Sequence, residues 1–146
     1  MRGFMGLALL AAVSACAPKS DLAATNGWVR LPAVTGQPGA AYFTLHGGAK
    51  DDTLLAVSTP AALKTEMHES MKGAGGMMTM SPLAQLAVPA GGEVQFAPGG
   101  KHVMLFSIGP AVKAGGTVPL TLAFASGKTL RLDAKVVGAG DPPPGQ

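Results

Sequence analysis

Turn-forming residues recur every eight to twelve positions along this chain, and that punctuation limits its fold more than any other feature. The 146 residues include 21 glycines and 12 prolines, while charged side chains make up only 13%. Glycine and proline weaken helices and favour turns, so this balance points to many short strands. The stretches between the breaks alternate or form short apolar runs. They are Gly27–Leu31, Ala40–His46, Thr53–Ser58, Leu63–Glu69, Met77–Met80, Glu93–Ala97, Lys101–Ile108, Thr117–Ala125 and Leu130–Val137. Eight or nine strands joined in this way predict an all-β fold, an antiparallel sandwich or barrel. No internal repeat and no convincing amphipathic helix competes with that reading.

The ends of the chain read differently. Residues 1–15 have the form of an export signal: Arg2 precedes an apolar stretch, Phe4 to Val13, too short to remain as a membrane-spanning helix. It closes on Val13-Ser14-Ala15-Cys16, which resembles a bacterial lipobox and marks Cys16 for lipidation. Residues 16–25 then form a tether, residues 26–137 a single domain, and residues 138–146, with Pro142-Pro143-Pro144, a disordered tail. Cys16 is the only cysteine. An internal disulfide, a thiol catalyst, a zinc–thiolate site and a blue-copper centre are therefore all excluded. A net charge of +3 with no run of Lys or Arg offers no surface for nucleic acid.

The chemistry concentrates in histidine and methionine. His102 and Met104 are one residue apart in an extended stretch, so they share a face while Val103 and Leu105 turn to the core. His68 and Met80 flank a loop containing Gly73, Gly75 and Gly76, as partners in a hairpin would; such neighbours lie within about 5 Å. Met78 has the parity of Met80, while Met71 and Met77 lie in or beside the loop. Met67 has the opposite parity to His68 and packs inward. His46, at a strand end before Gly47-Gly48, reads as a solvated loop histidine, and Trp28 as a core or rim anchor. Glu66 and Glu69 fit two roles equally: orienting a histidine, or standing as solvated surface charges. Thioether sulfur is a poor ligand for hard cations and a good one for Cu(I), and imidazole serves copper in either oxidation state. Two imidazoles and several thioethers without a thiolate therefore read as a copper site.

The ordered set His68, Met80, His102 and Met104 resembles the signature of the PCuAC family of periplasmic copper chaperones, His-x10-Met-x21-His-x-Met. The interval Ser81 to Lys101 matches the second spacing; the first, Glu69 to Thr79, is one residue longer. A glycine loop absorbs such an insertion cheaply, so Met80 is the expected upstream thioether, with Met78 the alternative. Trp28-Val29-Arg30, Ala40-Ala41-Tyr42-Phe43-Thr44-Leu45 and Met67-His68-Glu69 are also similar to the family, and the resemblance spans roughly residues 26 to 137. It implies a cupredoxin-like Greek-key sandwich that binds Cu(I) through His68, Met80, His102 and Met104; Met78 and Met71, by their place beside the loop, are candidate auxiliaries. It further implies a copper-accepting partner, such as an oxidase assembly factor or the copper centre of cytochrome c oxidase, and no catalysis. The alternative is copper sequestration without a delivery partner. The expected protein is a monomer held by lipid at the periplasmic face of a bacterial membrane, or soluble in the periplasm where Cys16 is unmodified.

Overall fold

Alternating residues between turn signals build ten strands in the computed structural model, which describes residues 21–145. Cys16 and the export signal lie outside the described residues. The strands are β1 (Ala23–Arg30), β2 (Gly39–His46), β3 (Asp52–Ser58), β4 (Ala62–Lys72), β5 (Met78–Pro82), β6 (Leu86–Val88), β7 (Glu93–Phe96), β8 (Lys101–Ile108), β9 (Thr117–Phe124) and β10 (Thr129–Val137). Besides them, the described residues contain only a short 3-10 turn at Ala74–Gly76. None of their helices is long and apolar enough to cross a membrane.

All ten strands join one hydrogen-bonded sheet in the order β5-β4-β8-β7-β2-β1-β10-β9-β3-β6, with β8 also pairing directly with β2. The sheet curls until strands near its opposite ends meet. The Thr65 hydroxyl on β4 donates to the Val57 carbonyl on β3. Val29, Phe43, Leu45, Leu54, Val103, Leu105, Leu120, Leu122 and Val136 belong to a single apolar cluster inside the curl. Phe43 stacks on Phe96 with ring centroids 4.4 Å apart. Burial of these side chains, at roughly 1.5–3 kcal/mol each, is what drives the alternating stretches into this arrangement.

Several expectations are corrected. The tenth strand, β6, is three residues long between Pro82 and Pro89, too short to display an alternation. The sheet is not wholly antiparallel, since β1 runs parallel to β10 and β7 parallel to β8. The β1–β10 pairing joins the two ends of the chain, which local pattern cannot reveal, and β7 meets β8 only through the single pair Phe96 and Lys101. The first strand begins at Ala23, so the expected tether through residue 25 is shorter. Asn26 adopts φ 55°, within a register shift between Thr25 and Trp28 that lets pairing with β2 continue upstream. The segment after β10, expected to be disordered, is tied down. Asp141 accepts the Gly138 N–H at 2.7 Å through its carboxylate and Arg30 Nη2 at 3.2 Å through its carbonyl.

Candidate metal centre

Beta-strand register assembles the site. Along β4 and β8, His68 stands directly opposite His102, and Glu66 directly opposite Met104. Opposed residues of an antiparallel pair share a face, and so do alternate residues of one strand. Hence His68, Glu66, His102 and Met104 all project from the outer face, while Met67 and Val103 between them are buried in the core. On one side β5 brings Met80 opposite Ser70, and Pro82 opposite His68. On the other side β2 places Ala40 opposite Met104, and Arg30 of β1 lies opposite Ala40.

His68 and Met80 are thus diagonal neighbours rather than the direct partners expected of a hairpin. The diagonal separation of about 7–8 Å remains within reach of a side chain as long as methionine. Met80, His102 and Met104 line one groove of about 450 Å³, together with Arg30 and Tyr42. His68 opens on a second hollow of about 630 Å³, shared with Glu66, Leu55 and Pro82. Met78 has the parity of Met80 but lies one pair further out, opposite Lys72. Met71 pairs with Thr79 and projects from the other face, away from the histidines. Remote from all of these, His46 meets the Thr25 hydroxyl at 2.9 Å and Glu93 at 3.7 Å.

The two imidazoles are near enough to face one ion. The two imidazole centroids are 5.9 Å apart. With metal–nitrogen bonds of about 2 Å and about 1 Å from nitrogen to ring centre, rings sharing one ion lie at most about 6 Å apart. Burial differs sharply among the donors: His102 is 7% exposed and Met80 52%. Among the described residues no group of three or more His, Cys, Asp or Glu is arranged to hold a metal ion, so the face offers nitrogen and thioether sulfur rather than a carboxylate cage.

Each histidine already has one nitrogen engaged. His68 Nε2 lies 3.0 Å from Glu66 Oε2, and Lys64 Nζ lies 2.6 Å from Glu66 Oε1. His68 Nδ1 is buried without a hydrogen-bond partner. His102 Nδ1 lies 3.0 Å from the Gly100 carbonyl oxygen. The hydrogen bond from Lys64, followed by that from His68, holds the Glu66 carboxyl below its usual range. Across the groove Tyr42 packs on Trp28 in a tilted arrangement with ring centroids 4.4 Å apart, and the Arg30 guanidinium sits over the same indole at 4.9 Å. Burial raises the Tyr42 hydroxyl above its ordinary value, with Arg30 opposing. No motif in the sequence marks Arg30 and Tyr42 as lining this groove. The shared parity of Trp28 and Arg30 is the signal that places both on the metal face.

Over residues 22–136 the chain matches the family described as "Putative lipoprotein LpqE-like". A curated relative, "Putative lipoprotein Lxx21020" of Leifsonia xyli subsp. xyli, is 27% identical over 105 residues, 72% of this chain. The chain spans 63% of that relative's length. Among solved structures, Cu(I)-loaded DR1885 of Deinococcus radiodurans is 31% identical with a TM-score of 0.59, covering 86% of this chain and 83% of its own. The copper-bound PCuAC domain of PmoF2 is 21% identical with a TM-score of 0.66, covering 82% and 95%. The fold is that of PCuAC domains.

Proposed function

The chain belongs to the LpqE-like lipoprotein family, and we propose that it is an extracytoplasmic Cu(I) carrier whose ion is held by His68, Met80, His102 and Met104. The observation that carries this reading is the β4–β8 register, which opposes the two histidines and leaves both strand-borne methionines on their face. Similarity to the Cu(I)-loaded DR1885 and copper-bound PmoF2 structures supports copper as the cargo. We take Met80 over Met78 because Met80 lines the groove of His102 and Met104. The cupredoxin-like Greek-key sandwich is the architecture that goes with this proposal, and a single core enclosed by the curled sheet supports it.

Lipidation at Cys16 would hold the domain at the periplasmic face of a bacterial membrane, as a monomer, and the family's lipoprotein description supports the anchor. Delivery to a cuproprotein, such as the copper centre of cytochrome c oxidase or its assembly factor, fits soft neutral donors at an open groove. A partner's ligand can replace the exposed thioether of Met80 first. No turnover belongs to this role, and the copper-loaded protein is expected to show no oxidase activity.

The test is Cu(I) titration of the chain lacking residues 1–15, with Cys16→Ser, against a chromogenic Cu(I) chelator. One tight equivalent, weakened in each of His68→Ala, Met80→Ala, His102→Ala and Met104→Ala, is the expected result. A parent that takes no Cu(I) from the chelator refutes the proposal.

A further inference from the structure

We infer that the two histidines meet the ion through different ring nitrogens, His68 through Nδ1 and His102 through Nε2, and that Glu66 is the positioning residue that sets the choice at His68. The inference rests on the Cu(I) reading above. It follows from which atoms are already occupied.

A carboxylate held by two cationic or N–H donors accepts hydrogen bonds and has none to give. Glu66 Oε2 faces His68 Nε2 at 3.0 Å, so that nitrogen carries the proton. A neutral imidazole has one N–H and one lone pair, and the lone pair of His68 therefore sits on Nδ1. That atom is buried and has no partner among the protein atoms. Buried polar atoms in native structures are nearly always satisfied, so an orphan beside a second imidazole is where a ligand belongs. At His102 the same reasoning gives the opposite answer. The Gly100 carbonyl is an acceptor only, 3.0 Å from Nδ1, so Nδ1 carries the proton and Nε2 keeps the lone pair.

Glu66 is itself fixed. Its other oxygen is held by Lys64 at 2.6 Å, and Lys64, Glu66 and His68 occupy alternate positions on one face of β4. Glu66 lies opposite Met104 in the register. Both carboxylate oxygens are nevertheless engaged, which makes Glu66 an orienting partner of the site rather than a donor to it. Strand geometry thus supplies a histidine and its carboxylate two residues apart, the spacing at which both stand on one face.

The experiment is long-range proton–nitrogen correlation NMR on the uniformly 15N-labelled chain lacking residues 1–15, with Cys16→Ser, at about pH 8, where free imidazole is neutral. Without copper, His68 is expected to show the Nε2–H pattern and His102 the Nδ1–H pattern. On adding Cu(I), the nitrogens that shift are His68 Nδ1 and His102 Nε2. Glu66→Ala should remove the fixed pattern at His68 alone and weaken Cu(I) binding on the order of 10–100-fold, the usual cost of losing an orienting partner. Glu66→Gln, whose side-chain oxygen still accepts from Nε2, should retain the pattern and most of the affinity. A parent that binds Cu(I) but shows Nδ1–H at His68, or a copper-induced shift at His68 Nε2, overturns the inference and leaves the copper reading standing. A Glu66→Ala chain with unchanged pattern and affinity overturns the positioning role. A parent that binds no Cu(I) overturns the copper reading, and this inference with it.

Discussion

Replacing Met80 separates a ligand from a packing residue, because the two roles carry very different energies here. Its side chain is 52% exposed. Full burial of a methionine is worth about 1.5–3 kcal/mol, so a half-buried one contributes about 1 kcal/mol, and Met80→Ala should lower copper-free stability by no more than that. The copper-bound state behaves otherwise. With free Cu(I) buffered at 100 times the parent's Kd, binding adds about 2.7 kcal/mol of stability. Losing an orienting partner alone costs 10–100-fold in affinity, so losing one of four donors is expected at the upper end. A 100-fold weaker site at the same buffered Cu(I) retains about 0.4 kcal/mol, a loss of about 2.3 kcal/mol. For a domain of this size that corresponds to roughly 7–12 °C of melting temperature. The assay is a pair of melts, with and without a Cu(I) buffer, for the parent, Met80→Ala and Met78→Ala. The copper-induced rise should survive in Met78→Ala and nearly vanish in Met80→Ala. The reverse result would move the thioether ligand to Met78. A full rise in both variants would refute the idea that β5 contributes a donor at all.

Two other substitutions probe what holds the site in place. Leu105 is 1% exposed and lies on the core side of β8, one residue from Met104. Leu105→Ala should cost about 2–5 kcal/mol in urea unfolding, and a cost below 1 kcal/mol would mean that the core beneath the site is not packed as described. Asp52 accepts hydrogen bonds from the Ser126 hydroxyl and from the Thr53 and Ser126 N–H groups, tying β3 to the β9–β10 turn. The Ser126 hydrogen bond is the main cause that holds its carboxyl below the usual value. A depressed folded-state pKa means that the ionised form stabilises the fold at neutral pH, and that this contribution is lost as pH falls through the folded value. Asp52→Ala should therefore melt below the parent at pH 7, with the gap closing below about pH 4. A gap that is constant across that range would remove the carboxylate from the account.

Local pattern carried much of this protein. The strand around His102 and Met104 was legible to the residue, because Val103 and Leu105 alternate with them between two glycine breaks. Turn residues likewise bounded β2, β3, β9 and β10 within a residue or so. What local pattern does not contain is which strands become neighbours. The opposition of His68 to His102 depends on β4 pairing with β8 across some thirty intervening residues. A hairpin reading could reach only Met80. The one-residue surplus between His68 and Met80 is expected in the glycine loop, which holds Gly75 and Gly76 at φ 75° and 78°. Met80 stays on the groove beyond it. The role of Glu66 was undecidable from spacing, because a carboxylate two residues from a histidine serves equally well as solvated charge. Only the occupied Nε2 and the orphaned Nδ1 distinguish the two.

The donors divide along the same structural line. Both histidines lie on β4 and β8, strands with neighbours on each side, and their rings are largely buried. Met80 lies on β5, the terminal strand of the sheet, which has only β4 beside it. Edge strands and exposed side chains belong to the low-stability end of a fold, where local opening is least costly. A carrier needs affinity from groups that do not move and release through groups that do. Under the proposed function the first role would fall to the imidazoles on β4 and β8, and the second to the thioether of Met80 on the edge strand β5. On that proposal the route of Cu(I) exchange would follow from topology: an incoming ligand would meet Met80 first, and the nitrogens last.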